Sequence, residues 1–132
     1  MKCDKHPKWK LPKGLRDGHC APGSKYDGGK LRWGLLPVAP LQAIVRVLMF
    51  GAKKYADDNW KLVPNGQERY YEAMYRHATE WYAWKKGEQL FFDGKDWVTP
   101  TENDKESGLN HLAHAGACLV FLIWFVLNKK EK

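Results

Sequence analysis

The sequence contains one continuous apolar run, Ala117 to Leu127, that would have no polar face in a helix. Its length is about half of what a helix needs to cross a bilayer. We therefore expect a helix that is central to the hydrophobic core or to a subunit interface. Asn103 or Asp104 can cap this helix, which we predict to be the third of the chain and to continue through Leu127.

A second helix is predicted from Arg69 to Lys86. Asn65 is a residue type that caps helix N-termini, and Gly87 stands where helices usually end. Tyrosines fall on one side of this helix and a charged stripe on the other, as the helical repeat dictates. The charged stripe comprises Glu72, Arg76 and Glu80, at i, i+4 and i+8.

Two interpretations of this charged stripe stay open. His77 precedes Glu80 by three residues, so an imidazole and a carboxylate are helix neighbours that can share a metal ion. The alternative is a ladder of surface ion pairs, each worth about 0.2–0.5 kcal/mol.

The remaining elements complete a mainly helical, single domain over residues 1–132. An apolar stripe from Leu41 to Tyr55 predicts a first core helix. Residues 89–99 read as two short strands around an Asp-Gly turn, which predicts a small β-hairpin. The chain would then comprise a basic arm, residues 1–25, and a helical core, residues 26–128, with the hairpin as an insert.

The chain is strongly basic, with a net charge of +7 and a pI near 9.3. This charge favours polyanionic partners, and a nucleoside triphosphate meets that requirement as well as a nucleic acid does. The first ten residues are polar, so we expect no signal peptide, no membrane association and a cytoplasmic location.

The arm holds four side chains that can ligate zinc, in the patterns Cys3-x-x-His6 and His19-Cys20. Adjacent His and Cys rarely ligate the same tetrahedral ion. Both a zinc site and solvated arm residues stay open, and reduced cysteines are expected.

Four spaced segments resemble one phage family. They are Asp27-x-Gly29-Lys30-x-Arg32-Trp33, then Gly51-Ala52-Lys53-Lys54-Tyr55 with Asn59-Trp60, then Arg69-Tyr70 with Arg76-His77, and finally Asp104-x-Glu106-Ser107-Gly108-Leu109-x-His111-Leu112-Ala113-His114-Ala115. Together they resemble the dATP/dGTP diphosphohydrolases, which are related to the MazG-like all-α nucleotide pyrophosphohydrolases. The resemblance covers roughly residues 26–125 and excludes the arm and the hairpin.

The resemblance implies an all-α, MazG-like helical bundle that assembles as a homodimer or homotetramer. It also implies hydrolysis of dGTP or dATP to the monophosphate and pyrophosphate, in the host cytoplasm if a phage encodes the chain. In that superfamily Glu-x-x-Glu on one helix and Glu-x-x-Asp on the next hold a divalent metal. This sequence departs from that pattern and offers histidines in several of those places.

The resulting site prediction places one divalent metal ion, Mg²⁺ or Mn²⁺, between the second and third helices. Imidazole ligands shift the preference toward Mn²⁺ or a later metal, because Mg²⁺ favours oxygen. The predicted metal ligands are Glu72, His77, Glu80, Glu106, His111 and His114. The predicted catalytic carboxylates are Glu72, Glu80 and Glu106. The predicted substrate-binding residues are Lys30, Arg32, Trp33, Lys53, Lys54, Trp60 and Arg76, with the cations neutralising phosphate and a tryptophan stacking on the purine.

Two other classes of function stay open from the sequence. In the first, the chain binds nucleotide or nucleic acid without catalysis, through the basic arm and exposed tryptophans. In the second, the chain has a structural role only, with the apolar third helix as an oligomer interface. The acid and histidine stripe favours the enzyme over the binder, because carboxylates repel a phosphate ligand unless a metal intervenes.

Overall fold

The computed structural model describes residues 23–129, so Cys3, His6, His19 and Cys20 lie outside the described residues. Within that range the chain forms two compact units, which divide after Leu35.

The first unit contains a tight turn and a short 3-10 helix. The amide of Lys30 donates to the carbonyl of Asp27 at 3.1 Å, and Gly29 takes a positive φ of 81° within the turn. Glycine adopts that conformation without steric cost. The 3-10 helix, Trp33–Leu35, follows directly and exposes its apolar side chains.

The second unit holds three α-helices and one β-hairpin. The helices are α1 (Val38–Lys54), α2 (Gly66–Lys85) and α3 (His111–Leu127), and the antiparallel strands are β1 (Phe91–Phe92) and β2 (Trp97–Val98). A 3-10 helix, Asn59–Leu62, connects α1 to α2. The prediction of a mainly helical fold with a small hairpin insert is confirmed. None of the described helices combines the length and apolar character that a bilayer crossing needs.

The predicted start of α3 is wrong, because residues 103–110 form a loop. The Asp104 carboxylate accepts the amide of Ser107 at 2.9 Å, which is a turn of the kind that aspartate favours over a helix. Gly108 then takes a positive φ of 73°, which a continuing helix excludes. Asn110 is the true N-cap, and its side chain accepts the amide of Leu112 at 2.7 Å.

The core forms where α3 packs against both other helices, most extensively against α2. Its centre is the cluster Val47, Ala113, Ala117 and Phe121. The Trp60 ring stacks on Phe121, with ring centroids 4.3 Å apart and planes inclined by 15°. Small residues along α3 let α1 and α2 approach it closely.

The apolar second half of α3 is buried on one face only within this chain. Ala117 and Phe121 point into the core, whereas Leu119, Ile123 and Val126 are exposed. The expectation that this helix is central to the core is met on this one face, and its place at a subunit interface stays a prediction. A helix has too narrow a contact face for two neighbours to cover it completely.

Candidate active site

Three histidines meet where α2 crosses the N-terminal half of α3. His77 comes from α2, and His111 and His114 come from the first turn of α3. The Nδ1 atoms of His77 and His111 lie 2.8 Å apart. The His77 ring also stacks on His114, with centroids 4.5 Å apart and planes inclined by 14°. The spacing of the two α3 histidines places both rings on one side of that helix.

Glu80 lies one turn beyond His77 and is the centre of a partly buried hydrogen-bond network. Its Oε2 atom accepts the Thr101 amide at 3.0 Å and the Thr101 hydroxyl at 2.9 Å. The Nε2 atom of His111 is 3.2 Å from the same oxygen. His111 is only 3% exposed, so this carboxylate satisfies a ring nitrogen that water does not reach.

A second network joins His114 to the loop before α3. The Nε2 atom of His114 is 2.7 Å from the Ser107 hydroxyl and 3.8 Å from the Asp104 carboxylate. The turn between Asp104 and Ser107, which precedes the start of α3 at His111, therefore also brings Asp104 beside the histidines.

The electrostatics of this cluster favour neutral imidazoles at His77 and His114 beside an ionised Asp104 carboxylate. Burial, together with the neighbouring His114 and His111, lowers the pKa of His77 to about 4. Burial likewise lowers the pKa of His114, against the opposing effect of Asp104. Burial alone would raise the pKa of Asp104, but hydrogen bonds from Ser107 and the nearby His114 hold it below its usual value.

His77, Asp104 and His111 can together hold a metal ion. Each offers one ligand atom, and these three atoms lie within 4.8 Å of one another. Ligands on opposite sides of an ion with bonds of 2.0–2.2 Å are about 4 Å apart, so little movement is required. Neutral imidazole and ionised carboxylate are the protonation states that bind metal.

The structure brings together four of the predicted metal ligands: His77, Glu80, His111 and His114. It does not bring in the other two. Glu72 is exposed on α2 and has no hydrogen-bond or ion-pair partner among residues 23–129. Glu106 lies in the loop and forms an exposed ion pair with Lys54 at the end of α1.

A cleft of about 830 Å³ opens beside the cluster, and His114 forms part of its wall. Its volume is within the range of pockets that hold small-molecule ligands. Lys54, Arg69 and Arg76 line the cleft, as do Asp57 and Asp58. Within the described part of the chain, neither arginine has a carboxylate partner.

The remaining predicted substrate-binding residues differ in their positions. Lys53 is exposed at the end of α1 and does not line the cleft. Trp60 lines it, but its ring is stacked into the core. Lys30, Arg32 and Trp33 are exposed in the first unit.

Sequence reasoning missed Asp104 and Thr101 as members of the cluster. Asp104 carried a signal, because an aspartate three residues before Ser107-Gly108 is typical of a turn. Thr101 carried none, since its contact with Glu80 spans 21 positions of the chain.

The chain is similar to proteins of known name. The family described as "dATP/dGTP diphosphohydrolase, N-terminal" matches residues 20–132. A Salmonella phage PMBT28 protein named dATP/dGTP diphosphohydrolase is 30% identical over 107 residues, which cover 81% of this chain and 31% of that protein. This chain therefore spans about a third of the length of that relative. No solved structure is significantly similar to the chain.

Proposed function

The chain belongs to the family described as dATP/dGTP diphosphohydrolase, N-terminal, and on that premise we propose that it hydrolyses purine deoxynucleoside triphosphates to monophosphate and pyrophosphate. One observation carries the proposal: His114 belongs both to the histidine and carboxylate cluster and to the wall of the cleft that Lys54, Arg69 and Arg76 line. A triphosphate in the cleft would therefore reach the residues that can hold a metal ion.

The activity would depend on a divalent cation held by His77, Asp104 and His111. When bound, such an ion supplies positive charge to the phosphate oxygens and favours ionisation of the attacking water. The fit of these residues to a cation rests on their donor set and on the separation of their ligand atoms. Glu72 and Glu106 have no part in this arrangement.

In this proposal, cationic side chains in the wall of the cleft bind the phosphates, and aromatic rings in the wall contact the base. Lys54, Arg69 and Arg76 would contact the triphosphate, since guanidinium and ammonium groups pair well with phosphate oxygens. Tyr55 and Tyr70 also line the cleft and offer ring surface to a purine.

We also propose that the chain assembles as a homo-oligomer of the MazG-like type through the exposed face of α3. Leu119, Ile123, Val126 and Leu127 leave a contiguous apolar stripe in solvent, which is typical of an interaction surface. Light scattering at micromolar concentration tests this point, and a monomer there would contradict it.

Product analysis with the purified chain tests the hydrolysis. We expect pyrophosphate and monophosphate from dGTP or dATP with Mn²⁺ or Mg²⁺, and loss of turnover in Asp104→Asn. Glu68→Gln is a matched control, because Glu68 is an exposed carboxylate of α2 that lies outside the cleft. Release of orthophosphate, or binding without turnover, would contradict the proposed reaction, and the second result would favour a non-catalytic nucleotide binder.

A further inference from the structure

We propose that Glu80 positions His111 for a metal ion without binding the ion itself, and that the centre it serves selects a first-row transition ion over Mg²⁺. This inference rests on the proposed metal-dependent function and assigns Glu80 a different role from that of a ligand or catalytic carboxylate.

The contacts of Glu80 leave its Oε2 atom committed to protein groups. That oxygen accepts the Thr101 amide, accepts the Thr101 hydroxyl and lies 3.2 Å from the Nε2 atom of His111. The Glu80 side chain is 13% exposed, so water competes little for these bonds. A carboxylate held in this way is an anchor for the imidazole.

The anchor fixes which nitrogen of His111 is free to bind a metal. A neutral imidazole carries one proton, and Nε2 is the nitrogen that faces the acceptor Glu80. Nδ1 then presents its lone pair on the opposite edge of the ring. Metal-bound histidines commonly have this arrangement, with the second ring nitrogen donating to a carboxylate.

The Nδ1 atom of His111 lies beside a second imidazole nitrogen. His77 Nδ1 lies 2.8 Å from His111 Nδ1. Two adjacent ligands with bonds of 2.0–2.1 Å to one ion are about 2.9–3.4 Å apart, so the two nitrogens are already close to that spacing. Asp104 adds a carboxylate oxygen, and one ligand atom from each of His77, Asp104 and His111 lies within 4.8 Å of the other two.

This donor set decides the class of metal. Two imidazole nitrogens with one carboxylate suit Mn²⁺, Fe²⁺, Co²⁺ or Zn²⁺, whereas Mg²⁺ binds oxygen and keeps several waters. Removing the outer carboxylate of such a centre typically weakens metal binding 10–100-fold.

Titration of the full chain with Co²⁺, followed by its visible absorption, tests the inference independently of hydrolysis. We expect the wild-type chain to bind Co²⁺ and to prefer it to Mg²⁺ in competition. Glu80→Gln should weaken Co²⁺ binding 10–100-fold, since a neutral amide is a poorer anchor for the ring. Glu68→Gln, the matched exposed position on the same helix, should bind as tightly as wild type.

A second variant keeps the test decisive if Glu80→Gln does not fold. Thr101→Val removes, at nearly constant volume, the hydroxyl that contacts the Glu80 oxygen, the Asn103 carbonyl and, at 3.4 Å, the Nε2 atom of His111, and a smaller weakening is expected. Unchanged Co²⁺ affinity in a folded Glu80→Gln, or in Thr101→Val where Glu80→Gln is unfolded, would overturn the positioning role. Equal affinity for Mg²⁺ and Co²⁺ would overturn the metal selection.

The experiments distinguish a failure of this inference from a failure of the proposed function. Hydrolysis that proceeds with Mg²⁺, in a chain that does not bind Co²⁺, would overturn this inference and leave the proposed function standing. Selective Co²⁺ binding that depends on Glu80, in a chain that hydrolyses no triphosphate, would support this inference and overturn the proposed function.

Discussion

The Nδ1 atoms of His77 and His111 lie 2.8 Å apart, although the two residues belong to different helices. At this separation one nitrogen donates a hydrogen bond and the other accepts it. A proton on both Nδ1 atoms would remove the acceptor and place two donors in contact. The junction between α2 and α3 therefore requires that at least one of these two Nδ1 atoms carries no proton.

The metal-free chain should lose stability as the pH falls from 7.5 to 5.5. His77 has a pKa of about 4 in the folded chain and an ordinary value of 6.5, so the unfolded chain binds the proton first. The stabilisation is complete above about pH 6.5 and is lost as the pH falls toward 4. After an allowance for solvent exposure, we expect a loss of about 1 kcal/mol at pH 5.5.

Urea unfolding in the presence of a chelator measures this dependence. His77→Gln should have a flatter profile over the same range, because its side chain does not titrate. An equal slope in the variant and the wild type would assign the dependence to other groups.

Lys54→Met should weaken substrate binding, whereas Lys53→Met should not. The two lysines are neighbours at the end of α1, but only Lys54 lines the cleft. Loss of one partly exposed phosphate contact costs about 1 kcal/mol, so KM for dGTP should rise roughly fivefold. Steady-state kinetics of both variants provides the comparison, and equal effects would remove Lys54 from the binding surface.

Gly66→Ala should destabilise the fold by about 1–3 kcal/mol through overpacking. A Cβ at Gly66 would lie 2.9 Å from the ring of Phe125, which itself packs against Trp60. Gly51→Ala is the matched control, because the same addition in α1 meets nothing within 4 Å. We expect that change to be neutral or stabilising by up to about 1 kcal/mol. Thermal or chemical unfolding distinguishes the two, and equal stability of the variants would contradict the packing.

Cys118 should resist thiol reagents in the folded chain. Its side chain is 7% exposed, and burial raises the pKa of its thiol to about 11, so little thiolate exists near neutral pH. In a Cys3→Ser, Cys20→Ser background, Ellman's reagent should react slowly with the native chain and fast in guanidinium. Fast reaction without denaturant would show that α3 opens readily.

The sequence predicted the helices well because their determinants are local. The apolar repeat located α1 and α2, and Gly87 marks the end of α2 with a positive φ of 75°. The i, i+3 spacing of His111 and His114 correctly indicated that both face α2.

The failures of sequence prediction have tertiary or competing local causes. The turn from Asp104 to Gly108 competes successfully with the helix, so Glu106 lies in a loop, where it pairs with Lys54, and not on α3. Trp60 is a core residue because Phe121 lies 61 positions later in the chain and offers a stacking face. No local pattern encodes such a distant contact.

The bonds between Thr101 and Glu80 have a consequence for protein engineering. They bring the chain back to α2 directly after the hairpin. The segment from Glu80 to Thr101, which are 21 positions apart, is therefore a loop whose two ends are held together. The entropy of closing such a loop changes by only about 0.6 kcal/mol for each doubling of its length. A fluorophore or affinity tag inserted at the exposed tip, between Asp93 and Asp96, should therefore leave Asp104 and the three histidines in register.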